Sequence, residues 1–474
     1  MRVLFVEPPK DVWFIMGEYL PPPFGILQLA AYLEREVKDV EIEVLDCNAQ
    51  QIDWEGMEKR IASFNPDIVA SSALASCNTY VVARTLQTAK KANPATITVA
   101  GGQHFTATAQ KSLEAYPEID MIIRGEGEQT LTEIVKNAKE KSTFSEIKGL
   151  SCRHNGRILH NAPRPLIRSL EDLPYPGYHL VKDIVGKYHF AAMAGRDAPY
   201  ALIEGSRGCS HKCSFCSQWR HWQGTWRTKA PERIADEMEF CYQNYGSRFL
   251  WLTDDNFGLG RRGSELADGI IQRRIGENIM WFTQARCDDI VKNNHVLPKL
   301  RKSGLRWVLL GVENPRESTL QTFRKGMTAS DAKEAVRLLK KNDIFAQAML
   351  IIGERKDTAK SIADLRDFAN ELDPELAIFT VLTPFPGTEV YDEATKNGWI
   401  EDYNWSNYDM AHAIMPTETL SRKEVQQELY ECYRGFYGSM RRRLGGILSP
   451  NVLKRRFYGY MVTRGVIEQL RGLF

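Results

Sequence analysis

Twice along these 474 residues, short apolar runs alternate with amphipathic stretches of helical period. Strands joined by helical connections of about ten to fifteen residues pair in parallel, and a parallel sheet must be covered on both faces. The first series is "RVLFVEP", "EIEVLDC", "DIVASSAL", "TITVAGG" and "DMIIRGEGE", separated by stretches such as "FGILQLAAYLEREV" and "WEGMEKRIASF". It predicts an α/β fold that begins with a five-stranded, doubly wound parallel sheet over residues 1–140. Residues 141–195 break the rhythm: "GLSCRHNGRILH" reads as a hairpin turning at Asn155-Gly156, and Pro174 and Pro176 mark a linker. The second series fills residues 196–388 with "YALIEGS", "FLWLTDDNF", "MWFTQARC", "WVLLGVEN", "AQAMLIIG" and "LAIFTVLTPFPG". Six βα units are two short of a closed eightfold barrel, so a partial barrel is expected, with its chemistry at the strand C-termini. Residues 389–474 form a basic extension expected to be mainly helical.

Composition narrows the function classes. A formal net charge of +2 is too close to balance for the chain to act as an electrostatic glue, and no nucleic-acid partner is expected. The apolar run near the N-terminus stops at Pro8, too short for a signal or a membrane span, which makes the cytoplasm the expected compartment. Nine cysteines occur, and only Cys209, Cys213 and Cys216 are clustered. The other six read as small buried hydrophobes rather than a disulfide framework.

The clustered three have the spacing C-x3-C-x2-C within "RGCSHKCSFCSQWRHW". A structural zinc completed by His211 or His221 is one reading, although His211 lies between two of the thiols. A closed electron-transfer cluster needs a fourth thiolate, and none is local. The third reading is a 4Fe-4S cluster with one iron left open. The loop, placed after a predicted barrel strand and carrying Phe215 before its last cysteine, resembles that of the radical S-adenosylmethionine (SAM) superfamily. The resemblance implies that the open iron binds SAM and that electron transfer into the sulfonium releases a 5′-deoxyadenosyl radical. It further implies SAM contacts at Asp254, Asp255 and Asn256 after the second strand, Arg286 after the third, Glu313 after the fourth, and Gly353-Glu354 after the fifth. The alternative for each acid is a helix cap or a surface ion pair.

The first domain has no G-x-G-x-x-G, which argues against a dinucleotide. Its segments "PPPFGILQLAAYL", "NPDIVASSALAS", "TVAGGQHFTA" and "IIRGEGEQTL" resemble the Rossmann-like cobalamin-binding domain that precedes many radical SAM barrels. The resemblance implies a corrin lying on Ser72, Leu74, Gly101, Gly102, His104, Gly125 and Glu126. There is no D-x-H-x-x-G to supply a cobalt ligand from below, and His104 suits the corrin edge better than the metal. Methylthiotransferases share this architecture but need three further cysteines in the first domain, which holds only Cys47 and Cys77.

"PERIADEMEF", "LTPFPGTEVYDE" and "ELYECYRGFYGSMRRR" resemble the anaerobic magnesium-protoporphyrin IX monomethyl ester cyclase-like group, which also contains C-methyltransferases. That likeness implies a cobalamin-dependent radical methyltransferase acting on an sp3 carbon, possible targets including a glutamine of methyl-coenzyme M reductase. Oxidative cyclisation of a porphyrin ester is the alternative, and a non-catalytic iron-sulfur or zinc module is the alternative of another class. The implied partners are a flavodoxin- or ferredoxin-type reductant and a protein or hydrophobic small-molecule substrate. From Arg434 onward nine basic residues face one acid, Glu468. This tail reads either as a docking surface for an acidic protein or anionic membrane, or as a solvated helical face with its aromatics packed on the barrel.

Overall fold

The computed structural model describes residues 1–10, 18–138, 141–154 and 156–463. Five parallel strands form the first sheet in the order Glu41–Asp46, Arg2–Glu7, Ile68–Ser72, Ile97–Gly101, Met121–Ile123. Val3, Leu4, Phe5 and Val6 are all buried, as expected for a strand covered on both faces. The hairpin Leu150–His154 and Arg157–His160 does not stand apart as a connector. It extends this sheet antiparallel to Met121–Ile123, with Met121 opposite Cys152, giving seven strands in all. Asn155 of the expected turn lies outside the described residues.

The second sheet has six parallel strands in chain order: Tyr200–Ile203, Phe249–Leu252, Met280–Ala285, Leu305–Glu313, Phe345–Ile352 and Leu376–Val381. An aromatic layer crosses it. Phe282 stacks on Trp307 with ring centroids 4.1 Å apart, and Trp307 meets Phe345 edge-on at 6.1 Å. The sheet does not close, so its first and last strands present free backbone groups, a hazard that proteins cover. Both edges are covered in the same way. The Tyr178 hydroxyl accepts from Leu202 N (2.8 Å) and donates to Leu202 O (3.0 Å). On the opposite edge the Tyr437 hydroxyl accepts from Ala377 N (2.9 Å) and donates to Ala377 O (2.7 Å).

Tyr437 ends the helix Arg422–Tyr437, which starts at a Ser421/Glu424 capping box and buries Val425, Leu429, Cys432, Tyr433 and Phe436 along one face. Two further helices, Met440–Ile447 and Val452–Thr463, follow. Their aromatics pack inward: Phe457 and Tyr458 are buried, and Phe457 meets Phe345 at 6.2 Å. Several arginines of the tail are used within the chain. Arg442 pairs with Asp373 (2.9 Å) and lies over the Phe436 ring, and Arg443 and Arg456 donate to Tyr437 O and Met193 O. The basic helices thus pack against the barrel, as the second reading of the tail had it; Arg464, Glu468 and Arg471 lie outside the described residues. Among the described residues no helix is long and apolar enough to cross a membrane.

Replacing Tyr437 by Phe keeps the ring and strips both backbone partners from Ala377. Each buried group left unsatisfied costs about 1–3 kcal/mol, so Tyr437→Phe, which strands two, is expected to lower the urea midpoint by the equivalent of about 2–6 kcal/mol, and Tyr178→Phe to do the same.

Candidate active site

The cluster loop leaves the short strand Ser206–Gly208, which pairs antiparallel with Trp226–Thr228. Gly208 has φ +91°, and a Cβ there would sit 2.2 Å from Thr225 O, so only glycine fits. Just before it, Arg207 is buried among three carboxylates: Glu126 (2.7 Å), Glu128 (2.7 Å) and Glu204 (2.9 Å). Arg227 joins Glu126 from the paired strand at 3.0 Å, and Glu126 also accepts from Ile167 N at 2.7 Å. Glu126 therefore ties the first sheet to the loop, and its carboxylate is taken by these partners rather than presented to a corrin.

The loop itself is held from the barrel side, at Phe323, and from within, by Trp219. Ser214 N donates to Phe323 O (3.1 Å), the Trp219 indole donates to Cys213 O (3.0 Å), and Phe215 meets Phe323 edge-on at 5.0 Å. Cys209, Cys213 and Cys216 are free thiols. Burial pushes all three up, Cys216 to about 12, while Lys325 and Arg286 pull Cys213 and Cys209 back down. Among the described residues no three His, Cys, Asp or Glu side chains are grouped to hold a single metal ion. Three thiols on one short loop, faced by two cations, are a donor set suited to a cluster held at three corners. Cys287, a buried thiol under the same charges, has its Sγ 4.0 Å from Gly311 O.

The strand ends divide into groups that are committed and groups that are free. Asp254 is committed: one oxygen accepts from Gly205 N (2.8 Å) and Ser206 N (2.9 Å), the other from Arg262 (2.9 Å). It clamps the start of the cluster loop. Burial, Asp254 and Glu204 push the Asp255 carboxyl up to about 7. Asn256 Oδ1, Ser206 Oγ and Glu204 Oε2 are buried without partners. Such orphans at the ends of the first two strands suit a ligand rich in polar groups. Arg286 donates to Asp288 (2.9 Å) and to Lys325 O (2.7 Å). Gly353 N and Glu354 N both donate to Asp357 (2.9 and 3.1 Å), which shapes the turn after the fifth strand.

Glu313 has φ +62°, a left-handed conformation that costs a non-glycine residue about 1 kcal/mol or more. Its carboxylate accepts from Lys325 at 2.6 Å, and both side chains are buried. Gly311 makes the room: a Cβ there would lie 2.5 Å from both Glu313 Oε1 and Lys325 Nζ. Lys325 was not singled out from sequence. The signal available was a lysine before glycine in "FRKGM", which does not distinguish a buried cation from a surface turn.

In the first sheet, Ser72 pairs with Gly101 at the strand C-termini, and Leu74 just beyond is 71% exposed. Gly102 has φ +95°, and a Cβ would meet Ala73 O at 2.5 Å. Gly101 and Gly125 have open space where a Cβ would project. Beside the exposed Leu74, small residues thus line this end of the sheet as a cradle with open space above Gly101 and Gly125. His104 is not part of its open face. The ring is buried, bonds Ser76 Oγ through Nδ1 (2.9 Å) and meets Trp405 edge-on at 4.8 Å. The next residue toward the cradle, Gln103, reaches across to the cluster loop, bonding Ser217 (3.1 Å) and Gln218 (2.8 Å) directly after Cys216.

Two family models match parts of this chain. Residues 15–135 match the B12 binding domain model and residues 203–369 the radical SAM superfamily model. An uncharacterized methyltransferase of Pyrococcus horikoshii is 30% identical over 99% of this chain and 98% of its own length. The anaerobic magnesium-protoporphyrin IX monomethyl ester cyclase of Cereibacter sphaeroides is 30% identical over 92% of this chain and 70% of its own. The methyltransferase TsrM of Kitasatospora setae, solved with cobalamin and a 4Fe-4S cluster bound, superposes with a TM-score of 0.73 over 100% of this chain and 99% of that one, at 17% identity. That likeness carries the fold.

Arg207→Met takes the shared cation from Glu126, Glu128 and Glu204 and leaves only Glu126 with another, Arg227; breaking a buried pair costs about 3–5 kcal/mol. We expect urea denaturation to show a loss of that size, part of which Glu126→Gln restores in the double variant. Burial lowers the His104 pKa from 6.5 to about 4. The stability it contributes is complete above pH 6.5 and is lost as the pH falls from there to about 4. The melting temperature of wild type should drop over that window, and that of His104→Gln should drop less.

Proposed function

The chain belongs to the radical SAM superfamily, with a B12 binding domain ahead of the barrel, and on that premise we propose that it is a cobalamin-dependent methyltransferase acting on an unactivated sp3 carbon. Its cofactors are a 4Fe-4S cluster, SAM and cobalamin. The observation that carries the reading is the abutment of the two cofactor-facing surfaces. The glycine turn of the first sheet touches the residues that follow Cys216. When bound, the cluster supplies one electron to SAM and cobalamin supplies a methyl group, so the two must open onto one shared space.

The residues divide the work. Cys209, Cys213 and Cys216 hold the cluster and leave one corner for SAM. Asp255, Asn256, Ser206 and Glu204 offer acceptors to the SAM amino group, and the Glu313–Lys325 pair stands at the strand end where ribose hydroxyls would lie. Arg286 serves the carboxylate, with Phe215 and Gly353 beside the adenosyl part. Ser72, Leu74, Gly101, Gly102 and Gly125 carry the corrin, with the buried His104 bracing that turn through Ser76 and Trp405. Asp254 and Glu126 act one layer back, by fixing the loop.

Methyl transfer is put ahead of ring closure because the Pyrococcus horikoshii relative is named a methyltransferase and the Methylococcus capsulatus relative, 26% identical over 95% of this chain, a hopanoid C-3 methylase. The first substrates to assay are a protein side chain, specifically the glutamine of methyl-coenzyme M reductase, and hydrophobic small molecules. A flavodoxin or ferredoxin would supply the electron.

The test is anaerobic reconstitution with iron, sulfide, cobalamin and a reductant, followed by methyl-labelled SAM. We expect 5′-deoxyadenosine and label in the product. A fully loaded protein that forms no 5′-deoxyadenosine, or forms it without moving label into any candidate substrate, overturns the reading. Alanine at Cys209, Cys213 or Cys216 should abolish iron loading. Glu313→Gln should keep the iron and weaken SAM binding roughly tenfold, about 1.4 kcal/mol, by equilibrium dialysis.

A further inference from the structure

We propose that Gln103 is a positioning residue that holds the corrin-facing turn against the cluster loop and so sets the separation of the two cofactors. The proposal rests on the assignment of those two surfaces made above. A glutamine side chain has one accepting oxygen and one donating NH2 group, and here both cross between the domains. Ser217 Oγ donates to Gln103 Oε1 at 3.1 Å, and Gln103 Nε2 donates to Gln218 Oε1 at 2.8 Å.

The orientation of each amide is fixed by chemistry. The Trp222 indole, which can only donate, bonds Gln218 Oε1 at 3.0 Å. Gln218 must therefore present its oxygen, and Gln103 must answer with its NH2. At one end of the bridge, Gln103 follows Gly102, whose left-handed backbone leaves no room for a Cβ against Ala73. At the other, Ser217 follows Cys216, whose N–H is bonded to Cys213 O at 3.1 Å. The bridge thus joins two turns that have little freedom of their own. The Arg207 cluster ties the domains through buried ion pairs, so its loss would be felt as stability. Loss of the Gln103 bridge would be felt as slack between the cofactors. Asparagine is one methylene too short to make both bonds, and glutamate would set an anion against the Gln218 oxygen.

The experiment needs no substrate. Protein loaded anaerobically with cluster and cobalamin is reduced to give a paramagnetic cluster and cob(II)alamin, and their distance distribution is measured by pulsed electron paramagnetic resonance. Wild type is expected to give one narrow distribution. Gln103→Ala, Gln103→Glu and Gln218→Ala should keep wild-type iron and cobalamin content yet widen it at least twofold. The double variant Gln103→Ala/Gln218→Ala should be no wider than Gln103→Ala alone, because that change already removes both bonds. Gln110→Ala, on the surface of the following helix, should match wild type. If Gln103→Ala loses cobalamin, Gln218→Ala, which leaves the cradle intact, carries the test. Loaded variants with the wild-type width overturn the proposal. Failure of wild type to bind cobalamin would instead overturn the assignment of the cradle.

Discussion

The guanidinium of Arg207 meets three carboxylates, and how the two sheets face each other depends on that meeting. Glu126 and Glu128 come from the segment after the fifth strand of the first sheet, and Glu204 from the end of the first barrel strand. Removing these charges from water is expensive, and it is offset here because each carboxylate meets a guanidinium, although Glu204 Oε2 is left without a partner. Arg227 and Ile167 N complete the Glu126 shell. A network so demanding allows little choice of relative domain position. It also sits two residues before Cys209, so any shift between the domains is transmitted to the loop that carries the thiols.

The barrel can remain open because the segments outside it close its edges. Tyr178 belongs to the connection between the domains and Tyr437 to the C-terminal extension, yet each makes the same pair of bonds to one edge strand. Tyr433, one turn before Tyr437, bonds Phe379 O at 2.8 Å, so the last strand is met along its length by one helix face. An open six-stranded wall leaves a wide mouth, over which the first domain can lie.

Much of this was legible in the sequence, for reasons that differ from residue to residue. Strands buried on both faces announce themselves as continuous apolar runs, so both sheets were readable. The thiol spacing was readable because local loops encode local geometry. What lay hidden were partnerships across long separations. The hairpin at residues 150–160 reads as a hairpin from its own residues, but its place on the edge of the first sheet is set by pairing with Met121–Ile123. Asp254 reads as a polar group at a strand end and turns out to be spent on Gly205, Ser206 and Arg262. Glu126 likewise looks like part of a glycine-rich cradle, and only the fold shows Arg207 waiting for it. Lys325 is the opposite case, a residue of common surface type that the fold has buried.

That burial has a physical logic. A cluster bound by thiolates is net anionic, and reducing it adds charge in a place shielded from water, where Coulomb terms are large. Lys325 and Arg286 are the cations that act on Cys209 and Cys213. A lone buried lysine would shed its proton, so it needs a counterion to stay charged. Glu313 provides one at 2.6 Å, and with burial opposing it this partnership raises the Lys325 pKa. Delivering that carboxylate requires a left-handed residue at the end of a strand and a glycine two positions earlier to clear the space. The strain at Glu313 is thus sustained by the ion pair it makes, and the ion pair in turn keeps positive charge beside the thiols.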